Sequence, residues 1–185
     1  MKTITTFEFD AARRAYTHFA IAQAARLARD VGFSYEPSDV APSTHEEVCA
    51  EYRACRTTHR GFRVWNGASD RTVFTIPEGN YAFRFVHDVT SHAIKGRTFS
   101  LDDELTSGND WVRRVAAAFG ADSVEAMIAY ADTCGQSLYV DQHNGAFPED
   151  QLAFVMESLC VGCGPCDRAQ AGTNSALGMA GHDVY

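Results

Sequence analysis

The chain has 185 residues, 45% of them apolar and 22% charged, enough to bury the core of a single domain. Sixteen basic residues against 24 acidic ones leave a net charge of −8, which excludes non-specific nucleic-acid binding because that needs a surplus of Lys and Arg. A small-molecule site or a protein partner remains open. No apolar run reaches the roughly 18 residues of a membrane span, and the opening MKTITTFEFD lacks the apolar stretch of a signal peptide. The expectation is a cytoplasmic protein with no membrane association, whose six cysteines are thiols or metal ligands rather than disulfides.

Residues 9–31 predict the first helix, with Asp10 as N-cap, apolar positions at helical spacing and Gly32 as its stop. The two prolines of SYEPSDVAPS predict a loop. Thr44 and Glu47 form a capping box ahead of a helix over about 45–57. Residues 61–76 change character: alternating apolar residues flank Asn66-Gly67, and this predicts a β-hairpin. A helix over about 80–94 follows, with Asn80 as cap and Gly96 as stop. Acids in the first turn open the next helix after Ser100, and Ser107-Gly108-Asn109 is expected to break it. Residues 123–143 predict a long helix and 148–159 a last one, with Pro148 at its first position. The fold class is therefore mainly α. A single helical domain with a bundle-like core and one β-hairpin spans 1–159, and a Cys/Gly-rich tail, expected to be mobile unless an ion or a neighbour holds it, spans 160–185.

The segment NYAFRFVHDVTSHAIKGRTFSLDDE, Asn80 to Glu104, concentrates the chemistry. Arg84, Asp88 and His92 recur every four residues and share one helical stripe. At about 100° per residue, Asp88 and His92 are roughly 40° apart, close enough to share an ion or for the acid to orient the imidazole. His87 and His92 are about 140° apart and cannot chelate one ion from a regular helix unless a π-bulge or a helix end lies between them. Glu104 can add an oxygen. Two His and a carboxylate suffice for an open divalent site holding zinc, manganese or iron. The predicted metal ligands are His87, His92, Glu104 and Asp132, and the predicted catalytic group is Arg84, His87 and Asp88, with Arg84 orienting substrate or clamping an anion. The same residues also suit an Arg84–Asp88 ion pair on a helix surface with a hydrogen-bonded His92. Asp132 and Gln136, again four apart, with Tyr139 and His143 beyond them, either face this group across the core or form a solvated stripe.

Cys160, Cys163 and Cys166 form a second candidate metal set. Their C-x2-C-x2-C spacing matches the first three ligands of a bacterial-type iron–sulfur run. The fourth Cys of that run is missing, so an iron–sulfur cluster is disfavoured relative to a Cys3His zinc site or free thiols. Phosphate-loop, HExxH, G-x-S-x-G and dinucleotide motifs are absent from the sequence.

The order N-Y-x-F-R-x-x-H-D (80–88), F-S-x-x-x-E (99–104), Gln136 and G-x-F-P-x-x-Q (145–151) resembles a group of small uncharacterised phage and plasmid proteins. The likeness covers about 80–151. It rests on Arg84, His87, Asp88, Glu104, Asp132, Gln136, Phe147, Pro148 and Gln151. In that group a second His follows the first by four residues; here Ser91 holds that place and the His is at 92. Either the helix is locally distorted or a shared site does not use this His. The resemblance implies a mobile-element origin and a mainly helical fold, but no established activity. Two functions follow as expectations. One is a metal-dependent enzyme with hydrolase-like chemistry on a small or nucleotide-like substrate. The other is a non-enzymatic phage-type protein that binds and modulates a host protein complex, with the His/Asp/Glu cluster as internal glue.

Overall fold

The computed structural model describes residues 3–162. Cys163 and Cys166 lie outside the described residues, so of the second candidate set only Cys160 is seen, as a half-buried thiol.

The longest helix, α1 (Thr6–Val31), starts on a capping box in which Thr5 and Glu8 satisfy each other's backbone N–H, and ends at Gly32 in the left-handed region (φ 86°). The cap is Thr5 rather than Asp10, because the box supplies two reciprocal bonds where a lone Asp supplies one. Two short strands, β1 (Tyr35–Ser38) and β2 (Phe62–Trp65), flank α2 (His45–Thr58), itself opened by the expected Thr44–Glu47 box. Next come α3 (Pro77–His87), a π-helical turn (Asp88–Ile94), α4 (Leu101–Phe119) and α5 (Val124–Tyr130). A second π-turn (Ala131–Gly135), α6 (Gln136–Gln142) and α7 (Gln151–Ser158) complete the described chain. The fold is mainly α with one core, as the sequence patterning predicts. No helix of the described residues is long and apolar enough to cross a membrane.

The expected β-hairpin at 61–76 is not formed. Its first half is β2, but β2 pairs in parallel with β1, Tyr35 opposite Phe62 and Pro37 opposite Val64. Part of the segment expected to be a loop, Tyr35–Ser38, is thus a strand. Pro37, which has no N–H to give, is tolerated because both strands of a two-stranded sheet are edges. Parallel pairing needs a crossover, and α2 is that crossover. The second half, Thr72–Phe74, makes no strand because α1 claims its carbonyls: Arg13 donates from Nε to Val73 O (2.8 Å) and from Nη2 to the carbonyls of Thr72 and Phe74. Val73 and Phe74 are buried instead.

Buried Glu51 fixes the crossover helix to β2, its two oxygens taken by Arg60 and Arg63 at 2.6–2.9 Å. The core around α3 is aromatic: Phe85 meets Phe33, Tyr35 and Phe62 on one side, while Phe83 meets Phe74 and Trp111 on the other. Helix α4 is not broken at Ser107-Gly108-Asn109. It runs through because Gly108 lies against the second π-turn, where a Cβ would sit 2.8 Å from Cys134 Sγ and 3.0 Å from Thr133 Oγ1. The glycine marks a close helix approach. The predicted 123–143 helix is real but interrupted by that π-turn, and α7 starts at Gln151 on an Asp150 cap rather than at Pro148.

Candidate metal centre and its cavity

Between His87 and Ile94 the backbone widens from i→i+4 to i→i+5 bonding. In such a turn residues five apart stack as residues four apart do in an α-helix. His87 and His92 are five apart, and their Nε2 atoms lie 2.9 Å from each other. The distortion that two-histidine chelation demands of this segment is therefore present. Glu104, in the first turn of α4 after its Ser100 cap, brings Oε2 to 3.3 Å from His87 Nε2 and Oε1 to 3.5 Å from His92 Nε2. The loop after the π-turn closes the arrangement: the Arg97 carbonyl accepts from His92 Nδ1 at 2.8 Å. With its proton on Nδ1, His92 presents an Nε2 lone pair to the other two groups. This is the tautomer a metal ligand takes, held by a carbonyl in the usual supporting role. Phe99 packs edge-on over the His92 ring at 4.3 Å.

His87, His92 and Glu104 form a group that can hold a metal ion. Ligand bonds of about 2.0–2.2 Å at angles between 90° and tetrahedral place donor atoms roughly 2.8–3.6 Å apart; the two Nε2 atoms are 2.9 Å apart, and each lies 3.3–3.5 Å from one of the two Glu104 oxygens. The electrostatics suit neutral imidazole and ionised carboxylate at the two ends. Burial, reinforced by the neighbouring His87, pushes His92 down to about 4. Burial also opposes the charged form of Glu104, but its bond to His87 outweighs that and holds the carboxyl below its ordinary range. For His87 burial lowers and the Glu104 bond raises, and the carboxylate wins, so the imidazole sits above its usual value.

The remaining predicted residues are divided by the structure. Asp132 is not in the ligand group. Its oxygens are used elsewhere, Oδ2 accepting from Tyr16 O–H (3.2 Å) and Oδ1 from Gln136 Nε2 (2.9 Å), and Tyr16 in turn accepts from Trp111 Nε1 at 2.8 Å. Burial raises the Asp132 carboxyl to about 7 despite these bonds and the field of Arg84. Asp88 does not orient His92, because the widened turn moves His92 off its stripe. Burial raises the Asp88 carboxyl to about 6. Arg84 makes no ion pair with Asp88 among the described residues. Its Nη1 donates to the carbonyls of Trp65 and Gly67, the latter at 3.0 Å, and its guanidinium lies 5.0 Å from the Trp65 ring centroid. Tyr139 and His143 stack on each other at 3.7 Å.

One cavity of about 910 Å³ nevertheless collects most of these groups. His87 and Glu104 reach it from the ligand group, Arg84 and Asp88 from the neighbouring turns, and Asp132 and Gln136 from the second π-turn. Phe147 and Pro148 from the loop before α7, and Gln151 at the start of α7, also border it. The volume is at the upper end of small-molecule sites. Sequence reasoning missed Tyr16 and Trp111, which orient Asp132, and the Trp65 wall. Tyr16 is visible only as one more apolar position of α1, and its partner Asp132 is 116 residues away. Comparison with protein families, with curated proteins and with solved structures finds no match.

Proposed function

We propose that this chain is a metal-dependent enzyme of the hydrolase type acting on a small molecule held in the cavity. The observation that carries the proposal is the convergence of His87 Nε2, His92 Nε2 and a Glu104 carboxylate within 2.9–3.5 Å at the edge of that cavity, with the His92 tautomer already fixed. Two imidazoles and a carboxylate are a donor set for zinc, and equally for manganese or iron(II). Three protein ligands leave coordination positions for water and substrate. A divalent ion there would supply Lewis acidity and a water of lowered pKa. Glu104 carries the compensating charge, and the Arg97 carbonyl holds His92 in register. Asp88 and Asp132, which both line the cavity, are the carboxyls we assign to proton exchange with substrate.

The test is elemental analysis of the protein after expression with zinc, manganese or iron, alongside His92→Ala, Glu104→Ala and Asp132→Asn variants. The expected result is about one ion per chain, lost in the first two variants and kept in the third. Metal content at background in all preparations, or equal content in wild type and His92→Ala, refutes the reading.

A further inference from the structure

The part of the cavity lining beside the second π-turn is built as a recognition edge. Asp132 and Gln136 are buried, 8% and 4% exposed, and both line the cavity. Tyr16 and Trp111 behind them lock the Asp132 carboxyl, and the Asp132–Gln136 bond at 2.9 Å fixes the amide. With one Nε2 hydrogen spent on Asp132, Gln136 keeps a second N–H and its Oε1, for which the described residues supply no partner. The carboxyl keeps further lone pairs. The pair thus offers a donor beside acceptors on one short edge, the pattern by which amide and carboxylate side chains read the edge of a heterocycle.

Aromatic side chains line the same cavity: Trp65, Phe83, Phe99 and Phe147, with Phe83 and Phe99 beside His87 and His92. A ring held between them is stabilised by stacking, whatever its identity. Apart from a bound cation, the lining side chains offer little to hold phosphate. The lining holds six carboxyl residues against two arginines. Of the arginines, Arg84 is bound to the carbonyls of Trp65 and Gly67, and Arg71 is an exposed side chain.

From these observations we infer that the cavity takes an uncharged or cationic planar heterocycle with N–H donors, in biological form a nucleobase or nucleoside without its phosphates, seated on Asp132 and Gln136. The inference rests on the reading of this cavity as the substrate site of the metal centre, and it sets the substrate class. The base edge meets Asp132 and Gln136, its faces meet the aromatic walls, and the body of the ligand extends toward His87 and Glu104.

The experiment uses the full chain, zinc-loaded and metal-free, with cytidine, adenosine and guanosine and their 5′-triphosphates as probes. Intrinsic tryptophan fluorescence and the thermal midpoint are the readouts, each recorded for every probe. At least one nucleoside is expected to bind, with its triphosphate weaker by about tenfold or more. Asp132→Asn and Gln136→Leu, each checked for a native cooperative melt, should each weaken that nucleoside by about tenfold. Triphosphates binding as tightly as nucleosides, no nucleoside binding at saturating concentration, or affinity unchanged in both variants would each overturn the inference. Metal content separates the two readings. An ion bound with no nucleoside response overturns this inference alone. A nucleoside response that depends on Asp132 and Gln136 in a chain that never takes up metal upholds the recognition edge and removes the metal centre.

Discussion

The Asp132 carboxyl makes a measurable claim on stability. Burial holds it at about 7 in the folded chain, against an ordinary value of 3.8. The groups facing it are Tyr16 from α1, Arg84 from α3 and Gln136 from α6, and all three pull the value down, so burial is the cause of the rise. The sign follows. Well below pH 3.8 the carboxyl is protonated in both folded and unfolded chains and contributes no pH dependence. As pH rises, the unfolded chain loses its proton first, so the folded state is progressively disfavoured until the folded carboxyl ionises near 7. Roughly three pKa units at 1.36 kcal/mol each set an upper limit of about 4 kcal/mol. Between about pH 4.5 and about pH 6.5 the expected loss is about 2 kcal/mol. Asn at 132 keeps the shape and cannot ionise. Denaturant melts of wild type and Asp132→Asn across this range isolate the effect, because Asp88, His87 and His92 titrate in both proteins and cancel in the difference. The variant should gain stability relative to wild type as pH rises. Parallel stability curves for the two proteins would refute the account of Asp132 as a carboxyl kept neutral by burial.

Two further changes probe the supports of the cavity. Tyr16→Phe removes the hydroxyl that accepts from Trp111 Nε1 and donates to Asp132. It leaves a buried indole N–H unpaired and should cost about 1–3 kcal/mol by denaturant melt; the loss of a donor to Asp132 should also move the pH window of the preceding prediction upward. Gly108→Ala places a methyl 2.8 Å from Cys134 Sγ. Overpacking of about 1–3 kcal/mol outweighs a helix-propensity gain of about 0.5–1 kcal/mol, so the thermal midpoint should fall; a rise would show that the α4 approach has slack.

Helix positions were legible because capping and periodicity are local. Thr44–Glu47 and the glycine stop at Gly32 are read from neighbours in sequence, and both stand. The hairpin failed because strand pairing is not local. Asn66-Gly67 has the composition of a hairpin turn, yet β2 finds a parallel partner 27 residues earlier, Tyr35 opposite Phe62, and Arg13 takes the carbonyls a second strand would have used. The candidate site divides in the same way. His87, His92 and Glu104 lie within 18 residues, so they are legible as one group, but ideal helical spacing sets the two histidines about 140° apart and only the widened turn unites them. The Asp132–Tyr16–Trp111 chain depends on three helices meeting, and nothing in any one of them announces the other two.

The first π-turn decides between the two geometries that spacing left open for this segment. On an α-helix Asp88 and His92 share a stripe and His87 is excluded; in the widened turn His92 swings onto His87, and Asp88 is left facing the cavity without an imidazole to orient. The second widened turn spans Ala131–Gly135 and includes Asp132, whose carboxyl meets α1 through Tyr16, while Thr133 and Cys134 press against Gly108 of α4. Each π-turn gives up regular i→i+4 bonding, a cost that helices bear mostly where a side chain must be re-aimed. Here two such turns stand in separate helices, and both put side chains on one cavity: Asp88 from the first, Asp132 and Thr133 from the second. Packing accounts for part of the second turn, where Thr133 and Cys134 meet Gly108. What the widening of the first achieves is the approach of His92 Nε2 to His87 Nε2, which regular helical spacing forbids.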